Sequence, residues 1–175
     1  MKTKKNKKEK IVAVSGGFDP LHIGHIRMFQ EAKKLGNKLV VILNNDNWFD
    51  VKGKPVFMSE KERKEIIEAL ECVDEVLISG HRKGTKDISV CKELLKIKPH
   101  IFANGGDRKP DDCDLPSSEY KVCKKLGIEM VFNVGYGGKI RSSSELLKEY
   151  SKKIRKVIKT KNRKEIASFE TFLGV

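Results

Sequence analysis

The 175-residue chain reads as an α/β protein, a doubly wound parallel sheet with helices on both faces. Two observations predict this. Short, continuously apolar runs such as Ile11-Val12-Ala13-Val14 and Leu39-Val40-Val41-Ile42-Leu43 suit strands buried on both sides, which need no alternation of polar residues. Each run is followed by a helix-length pattern with its own start and stop signals, and strands alternating with helices argue for parallel crossovers.

The elements follow in order. After Ile11–Val14, Gly16-Gly17-Phe18-Asp19-Pro20 breaks the strand, and a helical pattern from about Leu21 to Leu35 ends at Gly36 and Asn37. The polar stretch 44–54 after the second strand reads as a loop. Ser59 with Glu62 three residues on is a capping box opening a helix to about Leu70. Val73–Ile78 is the third strand, a helix is expected near Asp87–Ile97, and His100–Ala103 is the fourth strand. Pro116-Ser117-Ser118 opens another helix closed by Gly127, and Ile128–Val134 is the fifth strand. Past Ser142, Leu146, Leu147, Tyr150, Ile154, Val157 and Ile158 recur at helical spacing, with lysines and arginines on the other face. This helix is expected to pack on the domain or on a second subunit, although a membrane-surface helix has the same pattern.

Charge divides the chain into a basic tail at 1–10, a domain at 11–147 and a basic helical extension at 148–175. Residues 1–10 hold six lysines against Glu9, and 148–164 hold nine Lys or Arg against Glu149, so the two ends account for the whole net charge of +13. A nucleic-acid-binding fold carries its basic stripe on a folded face, so the tails are read as solvation and weak polyanion attraction. No apolar run approaches the roughly 20 residues that span a bilayer, and no signal-peptide core follows the basic start; a cytoplasmic protein is expected. Cys72, Cys91, Cys113 and Cys123 include no closely spaced ligand pair and are read as reduced packing thiols, with no metal site of the protein's own.

The strongest chemical signal is Gly16-Gly17-Phe18-Asp19-Pro20-Leu21-His22-Ile23-Gly24-His25, which lies beyond the carboxyl end of the first strand. Open parallel sheets bind ligands there, a glycine pair admits close approach of backbone to ligand, and the next helix begins with unpaired N–H groups suited to phosphate. His22 and His25, three apart, project from one face of the first turn, with Gly24 leaving room for a phosphate. Two imidazoles there donate hydrogen bonds to oxygens on which charge builds. A metal pair needs a third ligand, and none is evident nearby.

His22-Ile23-Gly24-His25 resembles the H-x-G-H signature of the nucleotidyltransferase superfamily, whose Rossmann-like core is similar to that of class I aminoacyl-tRNA synthetases. A full synthetase is not expected of so short a chain, and Phe57-Met58-Ser59-Glu60-Lys61 is only a loose echo of the synthetases' second motif. Asp50–Lys54, Ser59–Arg63 and Ala69–Val76 are similar to the glycerol-phosphate cytidylyltransferases and the adenylyltransferase half of heptose-phosphate enzymes. The resemblance implies phosphate or acceptor contacts for Lys52, Lys54 and Arg63. It puts the turn Asn104-Gly105-Gly106-Asp107-Arg108 by the nucleotide's ribose and base, with Gly106 and Asp107 as contacts. Arg141-Ser142-Ser143-Ser144 resembles the superfamily's final Ser/Thr motif at a helix start, where hydroxyls, free N–H groups and an arginine suit β- and γ-phosphates. Tyr136–Arg141 departs from the Arg-Thr-x-Gly-Ile lead-in of the cytidylyltransferases.

The expected reaction is in-line displacement: a phosphate oxygen of a polyol or sugar phosphate attacks the α-phosphorus of an NTP, and pyrophosphate leaves with Mg²⁺. His22, His25 and Arg141 are the expected catalytic residues, with Gly16, Gly17, Phe18, Asp19 and Gly24 at the nucleotide's phosphates. CTP is favoured over ATP, and a homodimer is expected by resemblance. The competing reading from another class is a basic polyanion-binding module without catalysis.

Overall fold

The computed structural model describes residues 9–106, 117–137 and 141–160. Contacts divide the chain into two units, 1–140 and 141–175, each described here by itself.

In the first unit, β1 (Ile11–Gly16), β2 (Lys38–Leu43), β3 (Glu75–Ile78), β4 (Ile101–Gly105) and β5 (Glu129–Val134) form one sheet in the order β3-β2-β1-β4-β5. Every pairing is parallel. Residues alternate between two cores. Val12, Val14, Leu39, Val41 and Leu43 face α1 (Ile23–Lys34) and α3 (Glu60–Glu68), burying Phe29, Ala32 and Ile67. Ala13, Ile42 and Phe102 face the other way, against Leu94 of α4 (Cys91–Ile97) and Cys123 of α5 (Ser117–Leu126). The period-2 geometry of a strand thus feeds both layers of a doubly wound, Rossmann-like fold. Burial, and then Glu119, pushes the Cys123 thiol up to about 11, as expected of a packing thiol; Cys113 lies outside the described residues.

The chain runs outward from β1 to β3 and then returns to place β4 on the other side of β1. The crevice between β1 and β4 is therefore the topological switch point, where open sheets of this class take their ligands.

Two expectations about local structure change. The 44–54 stretch contains a two-turn helix, α2 (Asp46–Val51), capped by the Asn45 side chain accepting from Trp48 N at 3.1 Å. The helix expected from Asp87 starts only at Cys91, because Asp87 Oδ1 accepts from Ser89 N at 2.9 Å and folds those residues into a turn.

The second unit contributes α6 (Ser143–Thr160), entered through a capping box. Ser142 Oγ accepts from Glu145 N at 3.2 Å, and Glu145 Oε2 accepts from Ser142 N at 2.8 Å. Among the described residues no helix is long and apolar enough to cross a membrane.

Candidate active site

The spacing of the two histidines has a structural cause. His22 is the N-cap of α1, with extended backbone (φ −145°, ψ 169°), and His25 is the third helical residue. His22 Nδ1 accepts from Gly24 N at 3.1 Å, and His25 Nδ1 accepts from His22 N at 3.4 Å, so each ring caps the helix start. The rings stack, with centroids 3.7 Å apart and planes 22° apart. A nitrogen that accepts a backbone N–H carries no proton, so either ring, when neutral, holds its proton on Nε2. Burial first, and the neighbouring His22 second, lower the His25 pKa from 6.5 to about 3. His25 is thus a neutral imidazole at physiological pH. The pair offers Nε2–H donors at a helix N-terminus on the ligand-binding edge of the sheet.

The turn before them is closely packed. Phe18 takes a positive φ of 51°, a conformation disfavoured for an L-residue, and its buried ring meets His25 and Phe29 edge-on, each at 5.0 Å between centroids. A Cβ on Gly16 would lie 2.7 Å from the Phe18 ring, one on Gly17 would lie 2.6 Å from the Phe49 ring, and one on Gly24 would lie 3.0 Å from the His22 ring. These glycines make room for aromatic side chains of the protein itself. That gives them a packing role which the sequence reading, concerned with ligand approach, did not contain.

Asp19 and Arg63 tie this turn to the next loop. The buried Asp19 carboxylate accepts from Phe57 N (2.6 Å) and Met58 N (2.9 Å). Arg63 is 1% exposed, and its guanidinium donates to Met58 O (2.9 Å), Gly17 O (2.6 Å), Asn44 O (2.8 Å) and Asp46 Oδ1 (2.5 Å). These bonds take up both Asp19 oxygens and all three guanidinium nitrogens. The loop they fix carries Lys52 and Lys54, both exposed; Lys52 closes α2 with its Nζ 5.7 Å from the Trp48 ring centre, and Gly53 follows in the left-handed conformation (φ 60°).

At the end of β4, Gly105 sits against α1: a Cβ there would meet Met28 Sδ at 2.2 Å. Gly106 turns the chain at φ 73° with open space beside it. The fold therefore brings the Gly105-Gly106 turn and the histidine turn to one crevice; Asp107 lies outside the described residues. In the second unit, Ser142 caps α6, Ser143 and Ser144 form its first turn, and Arg141 is exposed with Nη1 3.9 Å from Glu149. Among the described residues no three His, Cys, Asp or Glu side chains converge as a metal-binding group.

Several residues of this edge escaped the sequence reading. Asn44 is buried with its Oδ1 unbonded among the described residues, and Asn45 donates its Nδ2 to His81 O at 2.8 Å. An asparagine directly before a helical turn was the available signal for Asn45.

A sequence model of proteins described as cytidylyltransferase-like matches residues 13–170. The chain belongs to the cytidylyltransferase-like family. It is a nucleotidyltransferase fold by sequence and by structure. The chain is 35% identical to the FAD synthase of Thermoplasma volcanium over 140 residues, spanning 79% of this chain and 92% of that protein. It is 36% identical to the FAD synthase of Thermococcus sibiricus over 156 residues, 88% and 97% of the two chains. The bifunctional protein HldE of Pelobacter propionicus is 36% identical over 113 residues, 63% of this chain and 22% of that longer one. The crystal structure of the lipopolysaccharide core biosynthesis protein from Thermoplasma volcanium shares the fold with TM-score 0.58 and 35% identity, covering 73% of this chain and 98% of that one. As a member of the cytidylyltransferase-like family, the chain is a nucleotidyltransferase enzyme.

Proposed function

We propose that this family member transfers an adenylyl group from ATP to a small phosphorylated acceptor and releases pyrophosphate. The observation that carries this is the stacked His22–His25 pair at the start of α1 beyond the end of β1, with His25 held neutral. The sequence lean toward CTP gives way here. It rested on loop similarity, whereas the relatives named as FAD synthases and HldE, 30–39% identical, favour adenylyl transfer; FAD itself contains an adenylyl unit.

In this reading the acceptor's phosphate oxygen bonds to the α-phosphorus as the bond to the bridging oxygen breaks, and pyrophosphate departs with the Mg²⁺ that entered on the triphosphate. The acceptor phosphate is already ionised, so no general base is required, and the protein works by positioning and charge stabilisation. His22 and His25 donate Nε2–H to oxygens of the α- and β-phosphates. Arg141 and the hydroxyls of Ser142, Ser143 and Ser144 are assigned, from their motif, to the leaving pyrophosphate. Lys52 and Lys54 meet the acceptor or the transferred group. The engaged guanidinium of Arg63 and carboxylate of Asp19 favour a positioning role for both. Gly106 and Asp107 are assigned to the ribose and base.

Thermal unfolding with Mg²⁺ and ATP or CTP tests the nucleotide site without an acceptor. Ligand at 100 times its Kd adds about 2.7 kcal/mol of stability. A larger rise with ATP than with CTP is expected; the reverse order rejects the adenylyl reading.

A further inference from the structure

A second cleft opens at the same edge of the sheet, beyond the end of β3. Its volume is about 300 Å³, and the β3–α4 connection and the first turn of α4 line it, with Arg82, Lys83, Asp87, Lys92 and Glu93 as its charged residues. We propose that this cleft is a subsite for the non-reacting end of the acceptor, and that it takes a hydroxyl-rich group bearing a second anionic substituent. The inference rests on the nucleotidyl-transfer reading and names the acceptor's chemistry.

The cleft is a built feature. His81, 9% exposed, bridges its walls: Nδ1 lies 2.7 Å from Ser79 Oγ and Nε2 lies 3.1 Å from Ser89 O. The His81 carbonyl accepts from Asn45 Nδ2 (2.8 Å) and Asn47 Nδ2 (3.0 Å), which pins the connection to the start of α2. Asn45 follows Asn44, whose carbonyl shares the Arg63 guanidinium with Gly17. These hydrogen bonds, joined through the Asn44–Asn45 peptide, link the cleft to Gly17 in the turn after β1. Two strand spacings separate β3 from β1, about 10 Å, so a molecule whose phosphate reacts beside His22 reaches the cleft with its other end.

The charges set the sign of the ligand. Both carboxylates are turned to the backbone: Glu93 Oε1 accepts from Gly80 N at 2.8 Å, and Asp87 Oδ1 accepts from Ser89 N at 2.9 Å. The side chains of Arg82, Lys83 and Lys92 enter no hydrogen bond or ion pair among the described residues. Three cations around one cavity, none of them in a hydrogen bond or ion pair among the described residues although Lys92 acts on Asp87 through space, suit a phosphate or carboxylate. The lining has no aliphatic or phenyl side chain, whereas sites for flat aromatic ligands are mostly apolar. The cleft therefore matches a sugar or polyol and not a flavin ring system.

The test uses the ¹⁵N-labelled full chain with Mg²⁺ and α,β-methylene ATP, titrated with glucose 1-phosphate and with glucose 1,6-bisphosphate. Movement of the Gly17–His25 amides on adding the nucleotide reports the transfer site separately, so its failure is distinct from failure of the cleft. The bisphosphate is expected to bind at least tenfold tighter than the monophosphate and to shift the amides of residues 80–93. Arg82→Ser, Lys83→Ser and Lys92→Ser together should cut that advantage below threefold, while Arg82→Lys, Lys83→Arg and Lys92→Arg together should keep most of it. Equal or absent binding of the two sugars, or an advantage that survives loss of the three cations, overturns the proposal.

Discussion

The guanidinium of Arg63 donates from Nη1 to the carbonyl of Gly17 at 2.6 Å, joining α3 to the turn after β1 across 46 residues. The same nitrogen reaches Asn44 O, and the other two nitrogens hold Met58 O and Asp46. A buried charge with all three of its nitrogens engaged is a structural tie, and removal of one partner leaves the rest stranded.

Arg63→Met should therefore destabilise the fold by about 3–5 kcal/mol, the usual range for breaking a buried charged pair. Arg63→Lys should recover little, because an ammonium cannot reproduce the planar fork. Urea unfolding measures both, and a loss below 1 kcal/mol in Arg63→Met contradicts the assignment.

Asp19→Asn should cost about 1–3 kcal/mol, since the new amide presents an N–H to a backbone N–H that now has an acceptor. The local signature is faster hydrogen exchange at the Phe57 and Met58 amides. Unchanged exchange at both positions would remove Asp19 as the clamp on this loop.

Gly17→Ala places a Cβ 2.6 Å from the Phe49 ring, and overpacking of this kind costs about 1–3 kcal/mol. Phe49→Leu alone should destabilise, yet combined with Gly17→Ala it should lose less than the two single changes added together. Strict additivity in a double-mutant cycle would show that the ring is not what excludes the side chain.

His25 also predicts a pH dependence. Its folded pKa of about 3 lies below the ordinary 6.5. Between these values the unfolded chain binds a proton that the folded chain does not, so stability falls as pH drops from about 6.5 toward 3. This one group contributes a slope of up to about 1.4 kcal/mol per pH unit. In urea melts from pH 6 to pH 4, the wild type should lose stability more steeply than His25→Gln. Parallel slopes would mean that His25 protonates freely in the folded protein.

The central strands were legible because a strand buried on both faces leaves an uninterrupted apolar run, as in Leu39–Leu43. The H-x-x-H spacing was legible for a deeper reason than ligand geometry: N-cap and third helical residue are three apart, so the rings that could face a phosphate also cap the helix. The parts that sequence missed depend on distant backbone. Asp19 read as a ligand contact because it lies in the glycine turn, and Arg63 because its segment resembles a family motif; the tertiary ties of both went unread. Their partners lie as far as 39 and 46 residues away and, apart from the Asp46 carboxylate, are backbone amides and carbonyls, which no side-chain pattern records. Helix α2 escaped because six residues carry too little periodicity, and tertiary bonds such as Trp48 Nε1 to Ile88 O (3.1 Å) fix its place. Gly16 and Gly17 were read for ligand approach, and only the fold reveals the rings of Phe18 and Phe49 beside them.

The central claim is adenylyl transfer assisted by the histidine pair, and pyrophosphate release tests it most directly. Wild type and His25→Ala would be assayed with ATP and with CTP against FMN, glycerol 3-phosphate and hexose mono- and bisphosphates. ATP should support turnover with at least one acceptor, and His25→Ala should lower that rate by about 10²–10³, as for a lost oxyanion donor. Faster turnover with CTP than with ATP, or a His25→Ala rate within fivefold of wild type, would contradict the account.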